Sequence, residues 1–161
     1  MRDCRVAQSK TGLGVFASRA LDAGSLVLED VPLCVAESEG LCAATFEGMS
    51  NEELEQLWAL SGGETLLAKA RANGVSLGDG QSGGVFALFS RLNHGCDANC
   101  EFAFDGSVMR VTTIRAVPKD VELTINYRPN DLAASVMERQ VQLLRAFEFL
   151  CQCAACEREA E

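Results

Sequence analysis

Three thiols fall within six residues at Cys151-Gln152-Cys153-Ala154-Ala155-Cys156, dense enough to converge on one ion. Thiolates at that density suit zinc. A structural zinc site takes four Cys or His ligands in a tetrahedron, so one ligand must come from a distant segment. Cys96, Cys100, Cys4, Cys34, Cys42 and the only histidine, His94, are the candidates. The competing reading is a set of reduced, metal-free thiols, but a C-x-C-x-x-C tail has few packing reasons to exist.

Three further stretches hold residue types that do chemistry. They are Gly12-Leu13-Gly14, Ser90-Arg91-Leu92-Asn93-His94-Gly95-Cys96-Asp97-Ala98-Asn99-Cys100, and Glu122-Leu123-Thr124-Ile125-Asn126-Tyr127. Each is weak alone. A G-x-G marks ordinary turns, a histidine beside an asparagine is more often structural than catalytic, and a tyrosine closing a strand is more often core.

Residues 11 to 36 alternate strand and turn signals, with Asp22-Ala23-Gly24 as a turn, and predict a β-meander. Ser50-Asn51-Glu52-Glu53 is a capping box before Leu54, Leu57 and Trp58, and a second short helix is expected over Glu64 to Ala72 with Asn73-Gly74 as its stop. Gly78 to Gly84 reads as a mobile loop. Apolar runs at Val85 to Phe89, Cys100 to Phe104, Val108 to Val111 and Leu123 to Tyr127 predict strands, divided by turns at Asp105-Gly106 and Pro118-Lys119-Asp120. From Asp131 as N-cap, Leu132, Val136, Gln140, Leu143, Leu144 and Phe147 fall near helical spacing, so an amphipathic helix delivers the chain to its cysteines.

Composition limits what such a chain does. At 161 residues it is long enough for one domain with its own core. Fourteen basic against 23 acidic residues give a net charge of −9, which repels a phosphate backbone and argues against direct nucleic-acid binding. A cationic partner fits better, the alternative being that the acidity only keeps the protein soluble, which is the commoner reason for such a charge. No apolar run approaches the roughly 20 residues needed to cross a bilayer, and Met1-Arg2-Asp3-Cys4-Arg5 does not read as a secretory signal. An intracellular location, nuclear or cytoplasmic, is the expectation, and there eight cysteines suit metal binding better than disulfides.

In this order the motifs resemble those of the SET-domain lysine methyltransferases. Gly12-Leu13-Gly14 matches the opening G-x-G, Asn93 to Asn99 the N-H-S-C-x-P-N, Glu122 to Tyr127 the E-L-T-x-x-Y, and Cys151, Cys153 and Cys156 the post-SET cysteines. The tail spacing is most similar to the SET-and-MYND class, without a MYND insertion. Three departures stand out: Gly95 replaces the usual Ser, Ala98 the usual Pro, and Asp120-Val121 the usual Gly-Glu. Losing the Pro frees one backbone φ angle in the loop.

The resemblance implies a mostly β fold with short helices (α+β), a SET-domain β-clip with a pseudoknot near Tyr127 and a C-terminal zinc-binding post-SET segment. It implies a SET domain over 1–128, with 41–85 as the variable insert shaping the substrate groove, and a helical zinc-binding segment over 129–161. The activity implied is methyl transfer from S-adenosylmethionine to a lysine of a basic protein, a histone tail being the expected substrate. Gly12, Leu13, Gly14, Asn93, His94 and Tyr127 would hold the cofactor, and Tyr127, the only tyrosine, would be catalytic. Cys96 would complete a structural zinc site with Cys151, Cys153 and Cys156. Ile125 and Phe102, which lack a hydroxyl, align with the positions that limit methylation in family members stopping at one methyl. The alternatives are a catalytically silent module binding a peptide or partner, and a redox or metal-storage protein. The latter needs exposed C-x-x-C thiols at a helix start rather than this cluster.

Overall fold

The computed structural model describes residues 3–37, 43–78, 81–128 and 134–159. In chain order its strands are β1 (Cys4–Ser9), β2 (Gly12–Ala17), β3 (Leu26–Asp30), β4 (Pro32–Glu37), β5 (Val75–Ser76), β6 (Ser82–Phe86), β7 (Asn93–His94), β8 (Cys100–Phe104), β9 (Met109–Thr113) and β10 (Glu122–Ile125). The helices are α1 (Asn51–Trp58), α2 (Leu66–Asn73), α3 (Val136–Phe147) and α4 (Ala154–Glu159). The architecture is mostly β with short helices, as expected. None of the described helices is long and apolar enough to cross a membrane.

Three small sheets carry the strands, in the orders β1-β2-β10-β7, β3-β9-β8 and β4-β6-β5. The strands of residues 11 to 36 do not form a meander. β2 pairs with β1 and β10, β3 with β9, and β4 with β6. The reason lies in the turn after β2. Thr113 donates its hydroxyl to the Asp22 carbonyl at 2.6 Å, and the Ser25 N–H donates back to Thr113 Oγ1 at 3.0 Å, so the chain is captured by a distant strand. β1 carries no strong period-2 signal, and only its pairing with β2 through the Lys10-Thr11 turn shows it to be a strand.

The glycine-rich stretch is also corrected. Residues 82 to 86 form β6, the central strand of its sheet. A Cβ at Gly84 would come within 3.0 Å of Leu77 Cδ2 and 3.1 Å of the Phe86 ring, so glycine here marks close packing. The strand expected over Val85 to Phe89 is the end of this same β6 and stops at Phe86. Phe89–Arg91 then forms a 3₁₀ turn, held by Asp30 Oδ2, which accepts from the Leu88 and Phe89 N–H groups at 2.7 and 2.8 Å.

The helix signals are mostly local, and the helices form where most of them lie. Ser50 and Glu53 form the expected capping box of α1. Thr65 caps α2, and Gly74 follows it in an extended rather than left-handed conformation. α3 starts at a second capping box, Ser135 with Glu138, while Asp131 and Leu132 lie outside the described residues. α4 had no sequence signal and carries Cys156.

The main core gathers Val15, Met109, Val111 and Leu123 from the first two sheets with Phe86 from β6 and Phe89 and Leu92 from the chain after it, among others, and a second cluster around Leu57 and Leu60 joins α1 and α2 to β4 and β6. The third is slight. Its buried members are Leu143, Cys151 and Cys156, too little apolar surface to hold a helix in place by itself.

Candidate active site and metal centre

β10 lies between β2 and β7, antiparallel to the first and parallel to the second, with Thr124 paired to Asn93 and Ile125 to His94. That arrangement sets the three chemistry-bearing stretches side by side. The two glycines of the first serve different needs. Gly12 has φ of 121°, a conformation other residues rarely adopt. Gly14 is required sterically: a Cβ there would collide with the Glu122 carboxylate and lie 2.9 Å from Asn93 Nδ2.

Glu122 is the hub beneath these residues. Its carboxylate accepts from Asn93 Nδ2 at 2.7 Å and from the Ser9 hydroxyl at 3.1 Å, and Asn93 also donates to the Leu13 carbonyl at 3.3 Å. Gly14→Ala is therefore expected to cost about 1–3 kcal/mol, the usual penalty for overpacking a filled space. Denaturant unfolding checks it, and a loss indistinguishable from zero would show that the network has room to give.

A cleft of about 1280 Å³ opens over this layer, and Leu13, Asn93, His94 and Tyr127 line it. Gly12 and Gly14 are not on its wall. Tyr127 donates its hydroxyl to the Leu92 carbonyl at 2.7 Å, which fixes the phenol and leaves its oxygen able to accept. Burial, and then the Glu122 charge, push Tyr127 up to about 12. The phenol thus stays protonated at neutral pH.

The thiols come together as well. Cys96, Cys151, Cys153 and Cys156 place their sulfurs within 4.8 Å of one another, with Cys96 3.5 Å from Cys156 and 3.9 Å from Cys151. A tetrahedron with Zn–S of about 2.3 Å has S···S edges of about 3.8 Å, so the spacing fits a four-thiolate metal site and is far too long for a disulfide. Such a cluster can hold a metal ion. Burial opposes ionisation of Cys153, but the backbone N–H groups of Cys156 and Cys96 donate to its sulfur and bring it down to about 7. Of the other candidate ligands, Cys4 and Cys100 belong to the main core and Cys34 to the second cluster, while Cys42 lies outside the described residues.

His94 stands beside the thiol cluster without being part of it. Its Nδ1 accepts the Tyr127 N–H at 3.2 Å, so Nε2 carries the proton and donates to Cys96 Sγ at 3.3 Å. Burial, and then the Arg139 charge, push the ring down to about 4 and keep it neutral. One imidazole thus ties the thiol cluster to the backbone of Tyr127. Around the cluster, the Gln140 amide clasps Cys151 by accepting its N–H and donating to its carbonyl, both at 2.7 Å.

Sequence reasoning missed the aromatic wall. The sequence places Phe147 only on a helical stripe and gives no signal for Phe149, yet both line the cleft. The Phe147 ring centroid is 5.0 Å from Tyr127, and that of Phe149 is 6.0 Å from His94 and 6.4 Å from Tyr127. Their one signal was proximity to Cys151. Conversely, Ile125 is buried in the main core and Phe102 packs on Phe89 with centroids 5.0 Å apart, and neither lines the cleft. The charged lining is mixed: Lys10, Arg71, Arg91 and Arg145 against Asp97, Glu122 and Glu148, so the net acidity of the chain is not concentrated here.

Comparison with known proteins agrees with this geometry. Histone-lysine N-methyltransferase SMYD3 of Mus musculus is 30% identical over 132 residues, covering 76% of this chain and 30% of the relative. Histone-lysine N-methyltransferase set5 of Schizosaccharomyces pombe is 28% identical over 156 residues, covering 92% and 48%. SET domain and MYND-type zinc finger protein 6 of the same yeast is 40% identical over 72 residues, covering 45% and 14%. The chain thus matches less than half the length of each of these relatives. The crystal structure of PFL0690c, a candidate histone methyltransferase of Plasmodium falciparum, shares the fold with a TM-score of 0.52 at 15% identity, covering 79% of this chain and 94% of its own. A family model described as the SET domain matches residues 12–128, most of the chain, and the protein belongs to the SET-domain family.

Proposed function

We propose that this chain transfers a methyl group from S-adenosylmethionine to a lysine side chain of a basic protein, with a histone tail as substrate. The observation that carries the reading is the convergence of Leu13, Asn93, His94 and Tyr127 on one cleft walled by Phe147 and Phe149. Its volume exceeds the 300–1000 Å³ typical of small-molecule pockets, leaving room for a cofactor and the end of a lysine. The names of the relatives, histone-lysine N-methyltransferases, support the reaction class.

When bound, the cofactor supplies an electrophilic methyl on a sulfonium cation. The residues of the chain do the rest. Tyr127, held by Leu92, presents an oxygen acceptor to the amine, and the rings of Tyr127, Phe147 and Phe149 offer π faces to a cation while keeping water away. Lysine near its free pKa of about 10.4 is charged at neutral pH, and burial beside a cation favours the neutral, nucleophilic form. Asn93 and His94 hold the cofactor, largely through main chain, with Leu13 giving backbone approach and Gly12 and Gly14, off the cleft wall, shaping the strand that presents it. Four thiolates leave no open metal position, so zinc at Cys96, Cys151, Cys153 and Cys156 is structural. In this reading 1–128 is the catalytic domain, 41–85 its substrate-shaping insert, and 129–161 the segment that closes the cleft.

The product should carry more than one methyl group. The ring next to Tyr127 in the cleft is Phe147, which has no hydroxyl to hold a water in the place of a further methyl. The net charge of −9 should steer a Lys/Arg-rich tail toward the protein, with a rate that falls as salt rises. A time course by intact-mass spectrometry on histone substrates tests both points. Accumulation of monomethyl-lysine alone with cofactor in excess would refute the product, and activity confined to acidic proteins would refute the substrate.

A further inference from the structure

Arg115 lies outside the cleft wall and outside the motifs described above, yet its guanidinium is devoted to one loop. Nη1 donates to the Ala98 carbonyl at 2.7 Å and to Asp97 Oδ1 at 3.1 Å, and Nη2 donates to the Asp97 carbonyl at 2.7 Å. Its neighbour completes the pattern: the Ile114 N–H donates to the Asn99 carbonyl at 2.9 Å. Three consecutive carbonyls, those of Asp97, Ala98 and Asn99, are thus taken by two consecutive residues at the end of β9.

Downstream, the loop is also anchored by the buried Asn99 side chain, which donates to the Glu122 carbonyl at 2.8 Å and accepts the Thr124 N–H at 2.9 Å. Upstream it carries Cys96, the one cluster thiol that comes from this side of the molecule, and His94, which joins that thiol to Tyr127. Between these ends the chain has alanine at 98 where the motif it matches has proline, so one φ angle that a ring would lock is free. Among the described residues the Ala98 N–H donates to nothing, so a ring at that position would remove no hydrogen bond.

We propose that Arg115 is a positioning residue that takes over the work of the missing proline, fixing the Cys96–Asn99 loop and through it the fourth metal ligand. The planar fork is essential, because two adjacent carbonyls are engaged at once and an ammonium has no such geometry. The ion pair with Asp97 is secondary. Both side chains are about half exposed, and such pairs add little.

The proposal rests on the reading of the thiol cluster as a metal site, so its test also follows the loop itself. Wild type, Arg115→Ala, Ala98→Pro and the double variant are compared by hydrogen–deuterium exchange over residues 93–100 and by the rate of zinc transfer to a chromophoric chelator. Arg115→Ala should raise both by about tenfold, the effect expected when hydrogen bonds from a charged donor are lost. Ala98→Pro alone should change either by less than about twofold, and in the double variant it should restore most of the loss, the non-additivity expected of two devices fixing one loop. Arg115→Lys, which keeps the charge and the stem, should fail on both measures while the protein stays folded.

Wild-type exchange and zinc transfer in Arg115→Ala or Arg115→Lys would overturn the proposal, as would a double variant no better than Arg115→Ala. Absence of zinc from the wild type would instead count against the metal reading, and the exchange data would still decide the role of Arg115.

Discussion

Tyr127→Phe is expected to lower kcat by about 10²-fold or more, the range over which positioned acid–base groups act, with cofactor affinity nearly unchanged. Only one oxygen is removed, and no other tyrosine exists in the chain to replace it. The ring contacts with His94, Phe147 and Phe149 should persist. The variant also loses the hydrogen bond to the Leu92 carbonyl, so stability should fall by about 1 kcal/mol. Since the phenol is pushed up to about 12, its ionisation should not shape the rate profile between neutral pH and the pKa of a free lysine. Steady-state kinetics, calorimetric titration of the cofactor and thermal unfolding, run on the same preparation, separate these effects. Undiminished turnover would show that the phenol oxygen is not needed.

Removing the metal should have the next largest effect. The segment from Val136 to Glu159 is attached through Leu143 and two cysteines, the Gln140 clasp and few other buried groups. Its docking should therefore depend on the ion, as it does in small zinc domains whose folding is metal-coupled. Elemental analysis is expected to give one zinc per chain. A strong chelator should lower Tm by roughly 10 °C, equivalent to about 3–5 kcal/mol for a domain of this size, and abolish transfer, because Phe147 and Phe149 leave the cleft with the segment. Near-zero zinc in protein purified under reducing conditions without chelators would sink the idea. Full zinc retention in Cys96→Ala would reassign the fourth ligand.

What the sequence revealed follows the range of the interactions involved. The capping box at Ser50 and the turn at Asp105-Gly106 are set within a few residues, and both were readable. The three clustered cysteines could be read as metal ligands for the same reason. Their partner could not be chosen from spacing, because Cys96 and Cys151 are 55 residues apart and five other side chains were equal candidates; only the resemblance singled out Cys96. The meander failed because Thr113, far along the chain, decides where β3 pairs. Gly83 and Gly84 misled for a related reason, since glycine permits a loop and close packing alike, and only the neighbours tell which. Phe149 follows a helix and precedes a cysteine with no periodicity around it, so nothing local marked it as part of the cleft. The double hydrogen bond of His94 had no sequence signal beyond its place next to Asn93.

Transfer of a methyl group from S-adenosylmethionine to lysine in this cleft can be followed by the label itself. The protein is incubated with isotope-labelled cofactor and a panel of histones and cell extract, and the labelled residue is located by tandem mass spectrometry. Label is expected on lysine side chains of basic proteins and is expected to be lost in Tyr127→Phe. Zinc-replete, cofactor-binding protein that labels no lysine in any substrate would contradict it.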